Sequence, residues 1–473
     1  MPEPRVVILG AGPAGVGAAY QLARGSRARV TVLEQRAAAG GNAGSFDIGE
    51  QRVDYGSHRL HPACDPEILS DIRTMLGEQL VERPRHGRIR LRGRWIHFPL
   101  KPFDLLARLD PRFSAGTLAD MARRTLPTQG GADDTFAAVL QARLGPTICD
   151  QFYFPYARKI WGMEPEALSA IQAHRRVAAN SFGKLLRKIL GQLPGVKPVG
   201  FRHFYYPTNG YGAISEAYAA EAAARGADIR LGTMVTALDR DEDGARWRIR
   251  ARTGDDTMEI EADHVWSTLP ITALARITTP SPPAEVLEAA DRIRYRSMLL
   301  VYLTLGADRF SEYDAHYFPG EEVGITRLSE PKNYAALGRP AGRTTLCAEL
   351  PCSPGDEWWE MDAPALGERV SRDLASVGLP IEAPIEAVEV RRLRFAYPIY
   401  EIGYERHFRV LDDWASTLPA VLTFGRQGLF AHDNTHHALY MAYAAAECFG
   451  AGGFDAERWA EYRREFETHV VED

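Results

Sequence analysis

An α/β fold organised on a doubly wound parallel sheet is predicted by three observations. The apolar run Val6-Val7-Ile8-Leu9 leads directly into the turn Gly10-Ala11-Gly12-Pro13-Ala14-Gly15 and a small-residue helical stretch, Gly17 to Ala23. A second apolar run, Val30-Thr31-Val32-Leu33, ends on Glu34. Comparable strand, turn and helix passages return near Tyr206–Ala224 and between Val421 and Phe449. A short apolar run bounded by turn residues is how a strand buried on both faces reads. The sheet is therefore expected to be assembled from three chain segments, residues 1–64, 203–284 and 412–473. Residues 65–202 form a helical insertion in this reading, and 285–411 a second, mixed sheet that binds substrate.

Each residue of the first turn has a mechanical task. Gly10 permits the tight turn, Gly12 lets backbone approach a pyrophosphate, and Gly15 lets helix and strand pack closely. Pro13 and Ala14 belong to the same ligand-facing turn, where the helix N-terminus offers unpaired N–H groups and partial positive charge. Glu34 stands where a carboxylate can accept both ribose hydroxyls of an adenosine. Together these make a Rossmann-type dinucleotide unit. A second glycine cluster, Gly40-Gly41-Asn42-Ala43-Gly44-Ser45, follows the acid closely. It suits a longer dinucleotide whose isoalloxazine end passes another backbone turn, which favours FAD over NAD. Gly41 and Asn42, and Val235 on the strand Thr233–Leu238, are further expected cofactor contacts. No Cys or His lies in an attachment motif, so the FAD is expected to be non-covalent.

The whole chain is consistent with this. Its 473 residues suffice for two or three domains or one large interleaved pair. A composition of 45% hydrophobic and 25% charged residues supplies a core, and a net charge of -6 gives no overall basic field for nucleic acid. No apolar run approaches the ~20 residues of a membrane span. The first strand begins at once, which leaves no place for a leader, and a cytoplasmic protein is expected. The five cysteines, Cys64, Cys149, Cys347, Cys352 and Cys448, are scattered and odd in number, with no C-x-x-C pair. They predict neither a disulfide framework nor a zinc site.

In chain order, His58 and His61 follow Gly56 where the chain would pass the flavin ring, and are candidate catalytic residues. Residues 65–80 read as helix. Arg88, Arg90, Arg92 and Arg94 alternate with Ile89 and Leu91, predicting a strand that hairpins at Gly93 into Trp95–Phe98. Its basic face is expected to be solvated, with a wall for an anionic ligand as the alternative. Helical spacing continues through Phe103–Leu109, Ala115–Leu126, Thr135–Leu144, Pro146–Phe154 and Leu168–Ile189. Within it, Tyr156 and Trp161 belong to a dense aromatic set. Aromatic stripes at helical spacing usually pack in a core, yet Gly162 breaks the helix beside Trp161, where a ring could stack on a base. Lys184, Arg187 and Lys188 make a basic helix end before the loop Pro194–Pro198. Hairpin strands are predicted at Arg246–Arg252 and Thr257–Ala262, buried strands at His264–Leu269 and Ser297–Leu305, and a long helix at His436–Phe449.

Several of these stretches, in order and across nearly the whole chain, resemble the UDP-galactopyranose mutase group within the FAD-containing amine-oxidase-like fold. Gly40-Gly41-Asn42-Ala43 and Tyr55-Gly56-Ser57-His58-Arg59-Leu60-His61 are similar to its glycine pair and its paired-histidine segment by the flavin. Tyr156–Gly162 resembles its nucleotide-side aromatic segment, which implies substrate-binding roles for Tyr156 and Trp161. Tyr295-Arg296-Ser297 resembles the segment carrying a substrate-diphosphate arginine, which places that role on Arg296. Thr326–Lys332, with Arg327, and Tyr397-Pro398-Ile399 also have counterparts. Gly425-Arg426 and the start of the last long helix, with Asn434 and Thr435, resemble the segment holding flavin and ribityl chain. The departures concern the substrate. A second diphosphate arginine belongs a few residues beyond Arg176, where Asn180 stands, and an extra stretch, Phe182–Phe201, follows. A substrate-holding tyrosine pair is replaced by His432 and Asp433.

The resemblance implies a mutase that interconverts ring forms of a nucleotide-linked sugar without net redox change, with N5 of reduced flavin as nucleophile. In that reading Arg296, with Arg176 or Arg327, clamps the diphosphate. The alternative is an FAD-dependent oxidoreductase, an oxidase or desaturase of the amine-oxidase or protoporphyrinogen-oxidase type, because the fold serves both chemistries. Either way the expected partner is a small molecule, not nucleic acid or membrane, and a homodimer is allowed.

Overall fold

The computed structural model describes residues 3–98, 111–124, 134–176, 203–240, 246–335, 340–450 and 452–471. The first strand, β1 (Arg5–Leu9), lies at the centre of a five-stranded sheet, and β2 (Arg29–Leu33) pairs with it in parallel. The spatial order is Val421–Thr423, His264–Ser267, β1, β2, Asp228–Arg230, with every pairing parallel. Three distant stretches of chain thus meet in one sheet. Between β1 and β2 runs α1 (Pro13–Arg24), whose proline occupies a first-turn position where a missing N–H costs nothing.

Small residues let helices close over this sheet. A Cβ on Gly17 would lie 2.9 Å from Leu439 and 3.1 Å from Ala442, both on the long helix Thr435–Glu447. That contact sits in the largest core, where Val6, Ile8, Val30 and Val32 meet Leu439 and Met441. A four-stranded sheet follows, built from the hairpin Trp247–Thr253 with Asp256–Ala262, the strand Thr233–Arg240 and the short Thr278–Thr279.

The seven-stranded sheet forms the other half of the molecule. Its longest central strands are β3 (Arg294–Leu305) and β4 (Thr344–Cys352), antiparallel to each other. Ile385–Ile399 flanks β3, while Arg327–Ser329, Ala315–Tyr317 and the hairpin Gly87–Leu91 with Arg94–Phe98 extend the sheet beyond β4. The period-two reading of the arginine strand is borne out, but that hairpin joins the seven-stranded sheet, not a helical insertion. Likewise Leu80–Pro84 pairs with His203–Pro207. Helix does occupy Pro66–Leu76, Pro111–Arg124, Phe136–Leu144, α2 (Phe154–Trp161) and Ala170–Arg176. The predicted helix 103–109, the basic end 184–188, Asn180 and the stretch 182–201 lie outside the described residues.

Candidate active site

A cleft of about 580 Å³ runs from the carboxyl edge of the parallel sheet to the face of the seven-stranded sheet. Its sheet-edge end is lined by Gly10, Gly12, Pro13, Ala14, Glu34, Gly41 and Asn42. The tight turn is real: Gly10 has φ +99°, and its N–H bonds to Leu33 O at 2.8 Å. Around Gly12 a Cβ would meet nothing within 4 Å, so open space stands at the start of α1, whose N-terminal residue has no side-chain cap. Gly15 does not line the cleft. A Cβ there would fall 1.9 Å from Gly10 O, which confirms its packing task. The second glycine cluster closes on the first: Gly40 N–H donates to Ala11 O at 2.8 Å, and a Cβ on Gly41 would lie 3.3 Å from the Gly12 Cα. Glu34 is buried and accepts from Ala11 N–H and Arg36 N–H, both at 2.9 Å. Val235 packs on the core of the four-stranded sheet and is not among the lining residues, because the strand carrying it, with an irregularity between Val235 and Ala237, lies off the cleft.

The middle of the cleft is made by the third chain segment. Gly425, at φ +77°, passes so close to α1 that a Cβ would sit 2.7 Å from that of Ala14. Arg426 is fixed by Asp433 O at 3.0 Å and Ala396 O at 2.8 Å. Asn434 and Thr435 line the cleft at the start of α3 (Thr435–Glu447), so two helix N-termini open onto it. Open space at one glycine, converging N-termini and a buried carboxylate make a cradle that fits a dinucleotide flavin.

His58 and His61 both line the cleft. His58 Nε2 lies 3.0 Å from Tyr55 O, and its ring stacks on Tyr211 at 5.3 Å. Since a carbonyl only accepts, Nε2 carries the proton and Nδ1 is left as acceptor. Burial pushes His58 below the usual imidazole range, against the attraction of Asp54, and pushes Asp54 above the carboxylate range.

At the far end stand Arg59, Arg85, Tyr156, Tyr317, Arg327, Glu349, Tyr397 and His432. Arg59 donates to Tyr317 at 2.9 Å and Tyr334 at 3.0 Å and pairs with Asp314. Arg426 lies 5.2 Å over the ring of Tyr397. His432 is fully buried, edge-on to Trp161 at 4.9 Å and Tyr400 at 4.8 Å.

Two expected substrate residues do not reach this end. Arg296 is buried and donates to Ile160 O at 3.1 Å, Ser353 Oγ at 2.7 Å and Pro351 O at 3.1 Å, with Asp356 at 3.7 Å. Ile160 belongs to the last turn of α2, whose free carbonyls attract a cation. A break in register with Ile385–Ile399 separates Arg296 from Met298, which does line the cleft. Trp161 is the second correction. Tyr156 and Ile160, four apart on α2, share the cleft face, and Trp161 is turned away from it into the core. Arg176 ends a helix, and its side chain lies outside the described residues.

Sequence reasoning missed Arg59, Arg85, Tyr317 and Glu349. Glu349 had a visible signal: it is the lone charge in the apolar strand Leu346-Cys347-Ala348-Glu349-Leu350. Arg59 sat inside a quoted motif, between the two histidines. Of the alternating arginines, Arg88 stacks on Trp95 and Tyr313, and Arg90 donates to Val377 O. Only their neighbour Arg85 reaches the cleft.

Among the described residues, no helix is long and apolar enough to cross a membrane. The fold is similar to that of reduced UDP-galactopyranose mutase, with a TM-score of 0.81 and 21% identity over 99% of this chain and 100% of that one. It is also similar to that of a protein assigned as a protoporphyrinogen oxidase from Exiguobacterium sp. 255-15, with a TM-score of 0.70 and 19% identity over 94% and 98% of the chains. At such identities the likeness shows the fold alone. Phytoene dehydrogenase of Streptomyces griseus is 27% identical over 280 residues, 51% of this chain and 50% of that protein. The chain thus spans about half the length of this curated relative. The model of the flavin-containing amine oxidoreductase family matches residues 13–448, nearly the whole chain, and the chain therefore belongs to that family and is a flavin-dependent enzyme.

Proposed function

We propose that the enzyme is a FAD-dependent mutase that isomerises the ring of a nucleotide-linked sugar without net redox change, with non-covalent FAD working in its reduced form. One observation carries this reading: the substrate end of the cleft is built from Arg59, Arg85 and Arg327 with Tyr156, Tyr317 and Tyr397. Arginines among tyrosines suit an anionic, hydroxyl-rich substrate. Glu349 and Asp314 pair Arg327 and Arg59, and a polyene would offer no hydrogen-bond acceptor to these guanidinium and phenol groups.

Reduced flavin supplies the nucleophilic ring nitrogen. The chain's part is binding and proton handling. Arg327, in place of Arg296, holds the diphosphate: Glu349 takes its Nε and Nη2, leaving Nη1 outside that fork. Tyr156 offers a ring face to the base, and Tyr397 with buried His432 bounds the sugar. His58, kept neutral by burial, has Nδ1 available to take a proton from a sugar hydroxyl, and His61 orients the flavin beside it. Five buried free cysteines support a reducing, cytoplasmic setting.

The partial match to a phytoene dehydrogenase favours a second reading, desaturation of an apolar substrate. Incubating dithionite-reduced enzyme with nucleotide-linked pyranoses decides between them. The mutase reading expects a furanose product, with reductant required but not consumed in proportion. Steady peroxide release or flavin reduction by a polyene or amine, with no ring isomer formed, would overturn it. Acid precipitation should leave the yellow colour in the supernatant.

A further inference from the structure

We propose that the C-terminal tail is a wall of the active-site cleft, in which Val471 sets the width of the cleft at its middle and His469 is the positioning residue that latches the tail onto Asp433. The last helix, Ala456–Phe466, packs against α3, with Phe466 and Tyr440 edge-on at 6.1 Å. The chain then turns back, Thr468 N–H donating to Glu465 O at 2.8 Å and His469 N–H to Phe466 O at 3.2 Å. Two residues later Val471 lines the cleft, as Asp433 does. Asp433 O accepts from Arg426 at 3.0 Å, which places this wall at the crossing of the third chain segment, between the flavin cradle and the substrate end.

Three contacts hold the tail. Val471 N–H donates to Arg175 O at 2.9 Å, and Arg175 Nη1 donates to Phe466 O at 3.4 Å, so the helix Ala170–Arg176 grips the tail at both ends. The His469 ring stacks on His437 at 4.2 Å and 14°, and packs against Phe466 at 5.6 Å. So placed, its Nδ1 faces Asp433 Oδ1 at 3.4 Å.

That last contact is the latch. The Asp433 side chain is 0% exposed, and neither of its oxygens has a hydrogen bond. His437 Nδ1, 3.5 Å away, cannot supply one, because it accepts the Asn434 N–H at 3.2 Å and carries no proton. His469 Nδ1 is buried and without a hydrogen bond as well. A proton on that nitrogen satisfies both groups when the tail is docked, and a buried carboxylate left without a donor is costly. A terminal segment held by so few contacts opens more readily than the core, so this wall can move aside for a ligand and close behind it.

The test uses the flavin-loaded full chain and measures how strongly iodide quenches the fluorescence of the oxidised flavin. His469→Leu keeps bulk and removes the donor. It should raise the quenching constant by about 10-fold, the population shift that one hydrogen bond to a charged group supports, with flavin content unchanged. His469→Gln keeps a donor and should recover most of the difference. Val471→Pro deletes the N–H bonded to Arg175 O and should open the cleft in the same direction by an independent contact. Val471→Trp should narrow the cleft and lower the constant below the parent's. Quenching unchanged in both His469→Leu and Val471→Pro would overturn the wall, and equal quenching in His469→Leu and His469→Gln would overturn the latch. None of these readings needs turnover. With a nucleotide-linked sugar as substrate, Val471→Trp should raise KM more than it lowers kcat, whereas a parent that isomerises no such sugar would overturn the mutase reading and leave the quenching result to decide the wall.

Discussion

Arg327 is gripped by both oxygens of Glu349, Nε to Oε1 at 2.9 Å and Nη2 to Oε2 at 2.8 Å, from directly opposite positions on adjacent antiparallel strands. The same Oε1 accepts the Ser57 N–H at 2.8 Å. One buried carboxylate therefore fixes an arginine of the substrate end and the turn that carries His58. Glu349→Ala should lower stability by about 3–5 kcal/mol, the cost of stranding a buried ionic partner. Glu349→Gln keeps an acceptor and should fall between variant and parent. Denaturant midpoints of the flavin-loaded proteins measure this, and an unchanged midpoint in Glu349→Ala would show that the fork contributes nothing.

The opposite outcome is expected at Arg296. Its guanidinium is spent on Ile160 O, Pro351 O and Ser353 Oγ, so Arg296→Ala strands buried carbonyls and should lower the melting temperature. UDP binding to the reduced enzyme should scarcely change. Arg327→Ala should weaken UDP by about 1.5–3 kcal/mol, the worth of a hydrogen bond to a charged group, and Arg327→Lys by less. Calorimetric titration of the variants separates the two arginines. If Arg296→Ala lost UDP while Arg327→Ala kept it, the diphosphate would lie elsewhere.

The different placement of these two arginines, one on the cleft and one off it, marks where the sequence stops being legible. The cofactor half could be read because its signals are local: a glycine turn, the strand before it and an acid at the end of the next strand are covalently close, and their spacing is their geometry. Glu34, Gly10 and Gly425 accordingly lie on the cleft. The substrate half depends on side-chain direction across a sheet. Whether Arg296 or Met298 faces the cleft turns on a register break with a strand about a hundred residues away, and on carbonyls at the end of α2 competing for the guanidinium. Trp161 failed for a smaller reason: on a helix, one residue past the cleft-facing Ile160 is a rotation of roughly 100°.

Gly15 and Glu34 offer a paired test of the cradle. A Cβ at Gly15 would meet Gly10 O at 1.9 Å, a clash with backbone that only a shift of α1 can relieve. Gly15→Ala should therefore lose both flavin and stability. Glu34→Ala removes a carboxylate that also accepts two backbone N–H groups, so it too should release flavin on gel filtration, at a cost of about 1.5–3 kcal/mol. The order expected is parent, Glu34→Ala, Gly15→Ala, read from the absorbance ratio of flavin to protein. Equal flavin content in all three would mean that the first turn does not hold the cofactor.

His316 sets a pH dependence that can be isolated. It is buried among Trp95, Phe310 and Tyr313, and its Nε2 has no hydrogen-bond partner. Burial, aided by Arg88, pushes its pKa from 6.5 down to about 3. Between those values the unfolded chain binds a proton that the folded chain refuses. The stability it contributes is therefore complete above about pH 6.5 and is lost as pH falls toward about 3, at up to about 1.4 kcal/mol per pH unit. His437 and His58, also depressed by burial, slope the same way, so the parent alone cannot assign the effect. His316→Phe fits the aromatic surroundings and removes the titration. Its stability should fall less than the parent's between about pH 6.5 and 5.5, by about 1 kcal/mol. Urea unfolding at the two pH values gives the comparison, and parallel pH slopes for parent and variant would show that His316 is protonated in the folded state.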